Sequence, residues 1–193
     1  MSATDRAYRL LLILALVCLS WLTMQAVHEL GHCLHAWVSG GSVWRVVLNP
    51  LVFSVTYYRR NPHPLFVVWG GAVWGCLLPL GAFALVRAVR PSLAYLFRFF
   101  AGFCLLVNGV YLGGDAFLKV ADGGDLLRHG SPQWVPVAFG VVASVAGLWL
   151  WHGLARSFGL GRDGRPVDRR AALGVATALA IVVAAELLLF PAK

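Results

Sequence analysis

LLLILALVCLSWLTMQAVHELGHCLHAWVSGG, residues 10–41, contains one charged residue, Glu29, and no proline. An α-helix rises about 1.5 Å per residue, so about 20 apolar residues cross the roughly 30 Å hydrocarbon core of a bilayer. Leu10 to Val27 therefore reads as a spanning helix. The helical pattern runs on through His28, Glu29 and His32 to Gly40 and Gly41, a glycine pair that supplies a stop.

The same reading extends to the rest of the chain. Leu65 to Val86 is a second uncharged run, and Ser92 to about Gly114 a third, interrupted only by Arg98. Trp134 to Trp151 makes a fourth and Ala171 to Phe190 a fifth, ended by Pro191. The 193 residues are 60% hydrophobic and 12% charged, with a mean hydropathy of +0.76, so lipid must be part of the solvent. The expected fold is an all-α polytopic membrane protein of about five transmembrane helices, forming a single domain over residues 1–193. Between the first two spans, Ser42 to Tyr58 is rich in valine, aromatics and threonine and is broken at Asn49 and Pro50. It reads as two short strands and a turn, a β-hairpin covering helix ends.

A net charge of +8 would point to nucleic acid in a soluble protein, but here the basic residues are mostly arginines at the ends of apolar runs. They read as topology and lipid headgroup contact, with no nucleic-acid partner. With five spans, Arg6, Arg9, Arg87, Arg90, Arg98, Arg156, Arg162, Arg165, Arg169 and Arg170 share the side of the N-terminus. Arg45, Arg59, Arg60, Lys119, Arg128 and Lys193 face the other side, and the imbalance predicts a cytoplasmic N-terminus. Arg6, Arg9 and the apolar run after them also have the form of a cleavable signal, but the helix continues past the cleavage position, so an uncleaved first span is expected. Cys18, Cys33, Cys76 and Cys104 lie singly in apolar runs without CxxC spacing and read as small packing residues.

Within the first span, His28-Glu29-Leu30-Gly31-His32 matches H-E-x-x-H. Residues four apart on a helix are offset by about 40° and one turn, so both imidazoles can face one ion. Glu29 projects about 100° away, within reach of a water at the ion without being a ligand. In a soluble helix such a pentapeptide arises by chance. In a lipid-buried span each charged group costs on the order of 2.5–3.5 kcal/mol on insertion scales, so a metal or a polar cavity is the natural compensation. Neutral imidazoles with an open fourth position suit one zinc ion, which would activate water with Glu29 as the proton acceptor.

His35 shares the helix face but lies about 10 Å beyond His28 along the axis, too far to complete the set. A third ligand is expected from the connection between the third and fourth spans, where the candidates are Asp115, Asp122 and Asp125. The first and third helices run in the same direction, so this connection emerges on the same side as the helix end bearing His32. Asp122 is followed by Gly123 and Gly124, which permit a sharp turn and close backbone approach. For each aspartate, an ordinary helix cap is the competing role. Glu186 in the last span is a further acidic candidate, at the membrane edge.

With these motifs the chain resembles the site-two protease family of intramembrane zinc metalloproteases, in its small forms without a PDZ domain. The resemblance covers roughly residues 10–130. It rests on His28, Glu29 and His32, on Asn108 with Asp122-Gly123-Gly124, and on Gly70-Gly71-Ala72-Val73-Trp74-Gly75, which looks like the family's small-residue helix start. The family's proline between the Asn and the Asp-Gly is absent, and the separation from Asn108 to Asp122 is fourteen residues, longer than in better-known members. The resemblance implies an intramembrane endopeptidase that cuts a transmembrane segment of a membrane protein. Its zinc would be held by His28, His32 and Asp122, with Asp115 and Asp125 as alternatives. Glu29 would be the catalytic base, and Asn108 would orient substrate or oxyanion. Two other classes stand beside it: an inactive protein of the same fold that only binds partners, and an ion or proton carrier.

Overall fold

A computed structural model describes residues 2–161 and 167–190. Arg162, Arg165, Pro191 and Lys193, counted above as loop charges or as a stop, lie outside the described residues. The elements in chain order are α1 (Ala3–Val38), β1 (Ser42–Val47), β2 (Val55–Arg60), α2 (Pro64–Val89), α3 (Ala94–Leu118), α4 (Asp122–Arg128), α5 (Trp134–Trp151) and α6 (Arg169–Leu189). Short 3-10 turns precede α3 at Pro91–Leu93 and follow α5 at Leu154–Phe158. Five helices, α1, α2, α3 with its preceding turn, α5 and α6, are long and apolar enough to cross a membrane. The fold is the expected all-α polytopic one with a short hairpin after its first helix.

α1 begins on a reciprocal cap: the Ser2 hydroxyl accepts from Asp5 N–H, and the Asp5 carboxylate accepts from Ser2 N–H. The helix passes through the H-E-x-x-H motif unbroken and closes at Gly40, whose φ of +76° places it in the left-handed region. There Gly41 N–H donates to Ala36 O at 2.7 Å and Gly40 N–H to Trp37 O at 3.2 Å, so the glycine pair satisfies the last carbonyls as the stop requires.

Without a hydrophobic force between helices in lipid, helices associate where small residues let backbones meet. α1 and α2 pack antiparallel with Gly31 against Gly70, and a Cβ on either glycine would overlap the other's carbonyl group. Gly70, Gly71 and Gly75 lie inside α2, several residues past its start at Pro64. This differs from the helix-start position implied by the resemblance. A second seam joins α3 to α5. A Cβ on Gly109 would fall 2.8 Å from Gly140 O, and one on Gly147 would fall 2.7 Å from Gly102 O.

Apolar packing fills the rest. Leu12, Ala15 and Leu16 of α1 meet Ala171, Ala172 and Val175 of α6, and Asp5 pairs with Arg169 at 3.4 Å, so these helices run parallel. Val68 and Ala72 of α2 pack with Leu112 of α3 and Leu126 of α4. Arg98, the one charge in the third run, donates to His152 O at 2.8 Å, which satisfies it at the end of α5.

β1 and β2 pair antiparallel from Ser42 opposite Arg60 to Val47 opposite Val55. The turn between them is fastened by buried Asn49: its Oδ1 accepts from Leu51 N–H at 3.0 Å, and its Nδ2 donates to Phe190 O at 3.0 Å at the end of α6. The hairpin therefore sits over the end of the bundle where α1 and α6 finish.

Candidate metal centre

His28, Glu29 and His32 occupy the buried face of α1 near its C-terminal end. His28 Nε2 and His32 Nε2 are 3.0 Å apart, and Asp122 Oδ2 lies 2.9 Å from the first and 3.2 Å from the second. The sequence favours Asp122 with Asp115 and Asp125 as alternatives, and the structure brings Asp122 to the histidine pair.

The outer nitrogens show which face of each ring carries a lone pair. His32 Nδ1 is 3.0 Å from the backbone oxygen of Val67, which can only accept, so this nitrogen bears the proton. His28 Nδ1 is 2.7 Å from Asn108 Oδ1, while Asn108 Nδ2 donates to Cys104 O at 2.8 Å. That second bond fixes the amide orientation, so His28 Nδ1 is a donor as well. In neutral rings both Nε2 atoms then present lone pairs to each other and to a carboxylate oxygen. Three acceptors in mutual contact in a buried site call for a cation.

The donor set fits a zinc-type ion. Bonds of about 2.0–2.2 Å to nitrogen and oxygen in tetrahedral array separate ligand atoms by roughly 3.3–3.6 Å, so the observed separations of 2.9–3.2 Å need to expand by a few tenths of an ångström. His28, His32 and Asp122 thus form a possible metal-binding triad. Gly71 leaves room beside it, since a Cβ there would lie 2.5 Å from each Nε2. Burial works to raise the Asp122 carboxyl, but with protons on the Nε2 atoms in place of an ion, hydrogen bonding to His28 and His32 and their charge outweigh it, holding the group well below the usual carboxylate range. The position attracts positive charge.

The other candidates have different partners. Asp115 is buried and accepts backbone N–H groups from Val120 at 3.2 Å, Ala121 at 2.9 Å and Gly124 at 3.1 Å. It folds the connection that delivers Asp122 and does not join the triad. Gly123 and Gly124 complete that delivery, because a Cβ on Gly123 would fall 2.6 Å from Ala116 N and one on Gly124 would fall 2.6 Å from Lys119 O. Asp125 pairs with Arg128. His35 donates through Nδ1 to Phe66 O at 2.7 Å and stacks on the Phe66 ring. Glu186 is buried in α6, outside the triad. Asn108, expected to touch substrate, is 1% exposed and spends its amide on His28 and Cys104. Gly75 makes its space, since a Cβ there would lie 2.8 Å from Asn108 Oδ1.

Glu29 is 4% exposed, and each of its oxygens accepts a hydroxyl: Ser54 Oγ donates at 2.7 Å and Thr56 Oγ1 at 2.6 Å. Gln25 Oε1, one turn earlier on α1, accepts from Ser54 N–H at 3.0 Å. Sequence reasoning placed the hairpin over the helix ends but missed these hydroxyls. The available signal was two hydroxyls at a spacing of two in an extended segment, which share one face. The triad and Glu29 line a cavity of about 730 Å³ whose other walls include Trp21, Met24, Phe53, Tyr58, Val68 and Tyr111. Burial first, and the Glu29 charge second, push the Tyr58 phenol well above its ordinary range.

Compared with known protein families, curated proteins and solved structures, the chain matches none.

Proposed function

We propose that this protein is a membrane-embedded zinc metalloendopeptidase that hydrolyses a peptide bond in or near a transmembrane segment of a membrane-protein substrate. The observation that carries the reading is the triad: two Nε2 atoms and a carboxylate oxygen within 3.2 Å of one another, with both Nδ1 atoms facing other acceptors, so that neutral rings turn their lone pairs to a shared ion. Zinc bound there would polarise a scissile carbonyl and make water a nucleophile at neutral pH.

His28, His32 and Asp122 are the ligands in this reading. Asn108 holds the His28 ring in register by accepting its Nδ1 proton, and it also lines the cavity in which substrate would be oriented. Glu29 lines the same cavity and takes the proton of the attacking water, then returns it to the leaving amine. The mainly apolar walls exclude water and accept an apolar, locally unwound stretch of substrate. The arginine-rich N-terminal side faces the cytoplasm, which sets the metal centre towards the opposite face of the bilayer.

A proton or ion carrier needs groups reaching across the bundle. Among the described residues, the buried acidic and histidine side chains are His28, Glu29, His32, Asp115 and Glu186, all towards the end that carries the hairpin.

The test is metal content beside cleavage. The purified wild type should hold one zinc per chain, and His28→Ala and Asp122→Ala should lose it. Glu29→Gln should keep zinc and lose at least about a hundredfold in turnover. A Glu29→Gln protein as active as the wild type removes Glu29 as the base, and a wild type free of stoichiometric metal rejects the reading in favour of a binding protein.

A further inference from the structure

The hairpin contributes more than cover, because the two hydroxyls that meet Glu29 come from a part of the chain remote from the H-E-x-x-H motif. We propose that Ser54 and Thr56 are positioning residues that hold the Glu29 carboxylate in its working orientation. This inference rests on the metalloprotease reading.

Glu29 is an unbranched side chain with three rotatable bonds, and nothing in the H-E-x-x-H motif fixes its end. In the structure each carboxylate oxygen receives one hydroxyl hydrogen bond, at 2.7 Å from Ser54 and 2.6 Å from Thr56. Hydroxyl-to-carboxylate bonds of this length are the strong, charge-assisted kind, and each oxygen keeps a lone pair for a water in the cavity. The donors are themselves anchored. Ser54 N–H is tied to Gln25 at 3.0 Å, Thr56 is buried in β2 opposite Val46, and Asn49 pins the turn to the end of α6. The orientation of the proposed base is therefore set by the start of β2 and the residue before it, a segment fastened to the helix bundle through Ser54 and Asn49. A general base a fraction of an ångström out of place loses much of its effect, and misplacement of about 1 Å costs on the order of a hundredfold.

The experiment uses the full chain in detergent micelles with zinc, and fluorescently labelled casein as an unstructured generic substrate. Ser54→Ala, Thr56→Val and their combination remove hydroxyls, while Ser54→Thr and Thr56→Ser keep them. The combined variant should lose about tenfold to a hundredfold in kcat, with KM changed less than about twofold. Zinc content should stay at one per chain, and the conservative variants should retain most of the activity. Each single variant serves if the combined one does not fold. Hydrogen exchange supplies an activity-free readout: amides 52–58 should exchange faster in Glu29→Ala, to about the extent seen in the combined hydroxyl variant. Unchanged or increased kcat without the hydroxyls, loss of zinc in those variants, or exchange indifferent to Glu29 would overturn the inference. A wild type that leaves casein intact, or a fully active Glu29→Gln, counts instead against the metalloprotease reading. In that case the exchange comparison still decides whether Glu29 and the hairpin hold each other.

Discussion

At the scale of single residues, the candidate centre depends on small side chains as much as on ligands. Gly71 lies in α2 where a Cβ would come within 2.5 Å of both Nε2 atoms. Gly71→Ala should therefore abolish metal binding, and a folded variant that retains one zinc per chain would show that the triad is not the binding site. Asn108 acts one layer out, on the far side of the His28 ring. Replacing such a partner typically weakens metal affinity by about 10- to 100-fold, so Asn108→Ala should show that loss in a competition titration with a chelating dye. An unchanged affinity would return Asn108 to the substrate-contacting role expected from sequence. His28, Glu29 and His32 were legible because helical spacing alone places them on neighbouring faces. Asp122 was preferred, through the glycines that follow it and the resemblance, but Asp115 and Asp125 stayed open as alternatives because all three lie in one short connection. Only the folded chain shows Asp115 spent on backbone N–H groups and Asp125 on Arg128.

Among the elements, most span bounds were readable to within a few residues because length and apolarity decide them: the fourth run, Trp134 to Trp151, coincides with α5, whereas α1 begins at Ala3, ahead of the apolar run from Leu10. α4 was not anticipated. It is a seven-residue helix beginning Asp-Gly-Gly, a sequence of poor intrinsic helicity, and it forms because Asp115 accepts its backbone and its glycines dock on the end of α3. The glycine seam between α3 and α5 also escaped reading, because Gly102, Gly109, Gly140 and Gly147 become partners only when the helices are paired. Gly140→Leu should therefore prevent stable folding, since even a Cβ there would fall 2.7 Å from Gly109 O. Gly81 and Gly114 are also helical but have open space at the Cβ position. Alanine at either should leave stability unchanged or raise it by up to about 1 kcal/mol. Thermal unfolding in detergent separates the two classes, and equal tolerance at Gly140 and Gly114 would contradict the packing described.

For the molecule as a whole, the triad joins parts of the chain that helix packing alone holds loosely. His28 and His32 belong to α1, while Asp122 hangs on a connection beyond α3, and α1 and α3 meet mainly through α2. An ion gripped by both would clamp the end of the bundle where the hairpin, α4 and the ends of α1, α3 and α6 converge. A ligand that binds only the folded state stabilises it by about 4 kcal/mol when present at a thousand times its dissociation constant. Stripping the metal with a chelator at neutral pH should therefore lower Tm by several degrees, and added zinc should restore it. His28→Ala and Asp122→Ala should begin at the lower Tm and ignore the chelator, because their clamp is already open. The same treatment should speed exchange of the amides in 119–126, where the aspartate is delivered, while leaving those of α5, which contributes no ligand, close to their original rates. If the chelator left Tm and exchange unchanged in the wild type, the three ligands would not be sharing an ion. The end of the bundle would then be held by its glycine contacts and apolar packing alone.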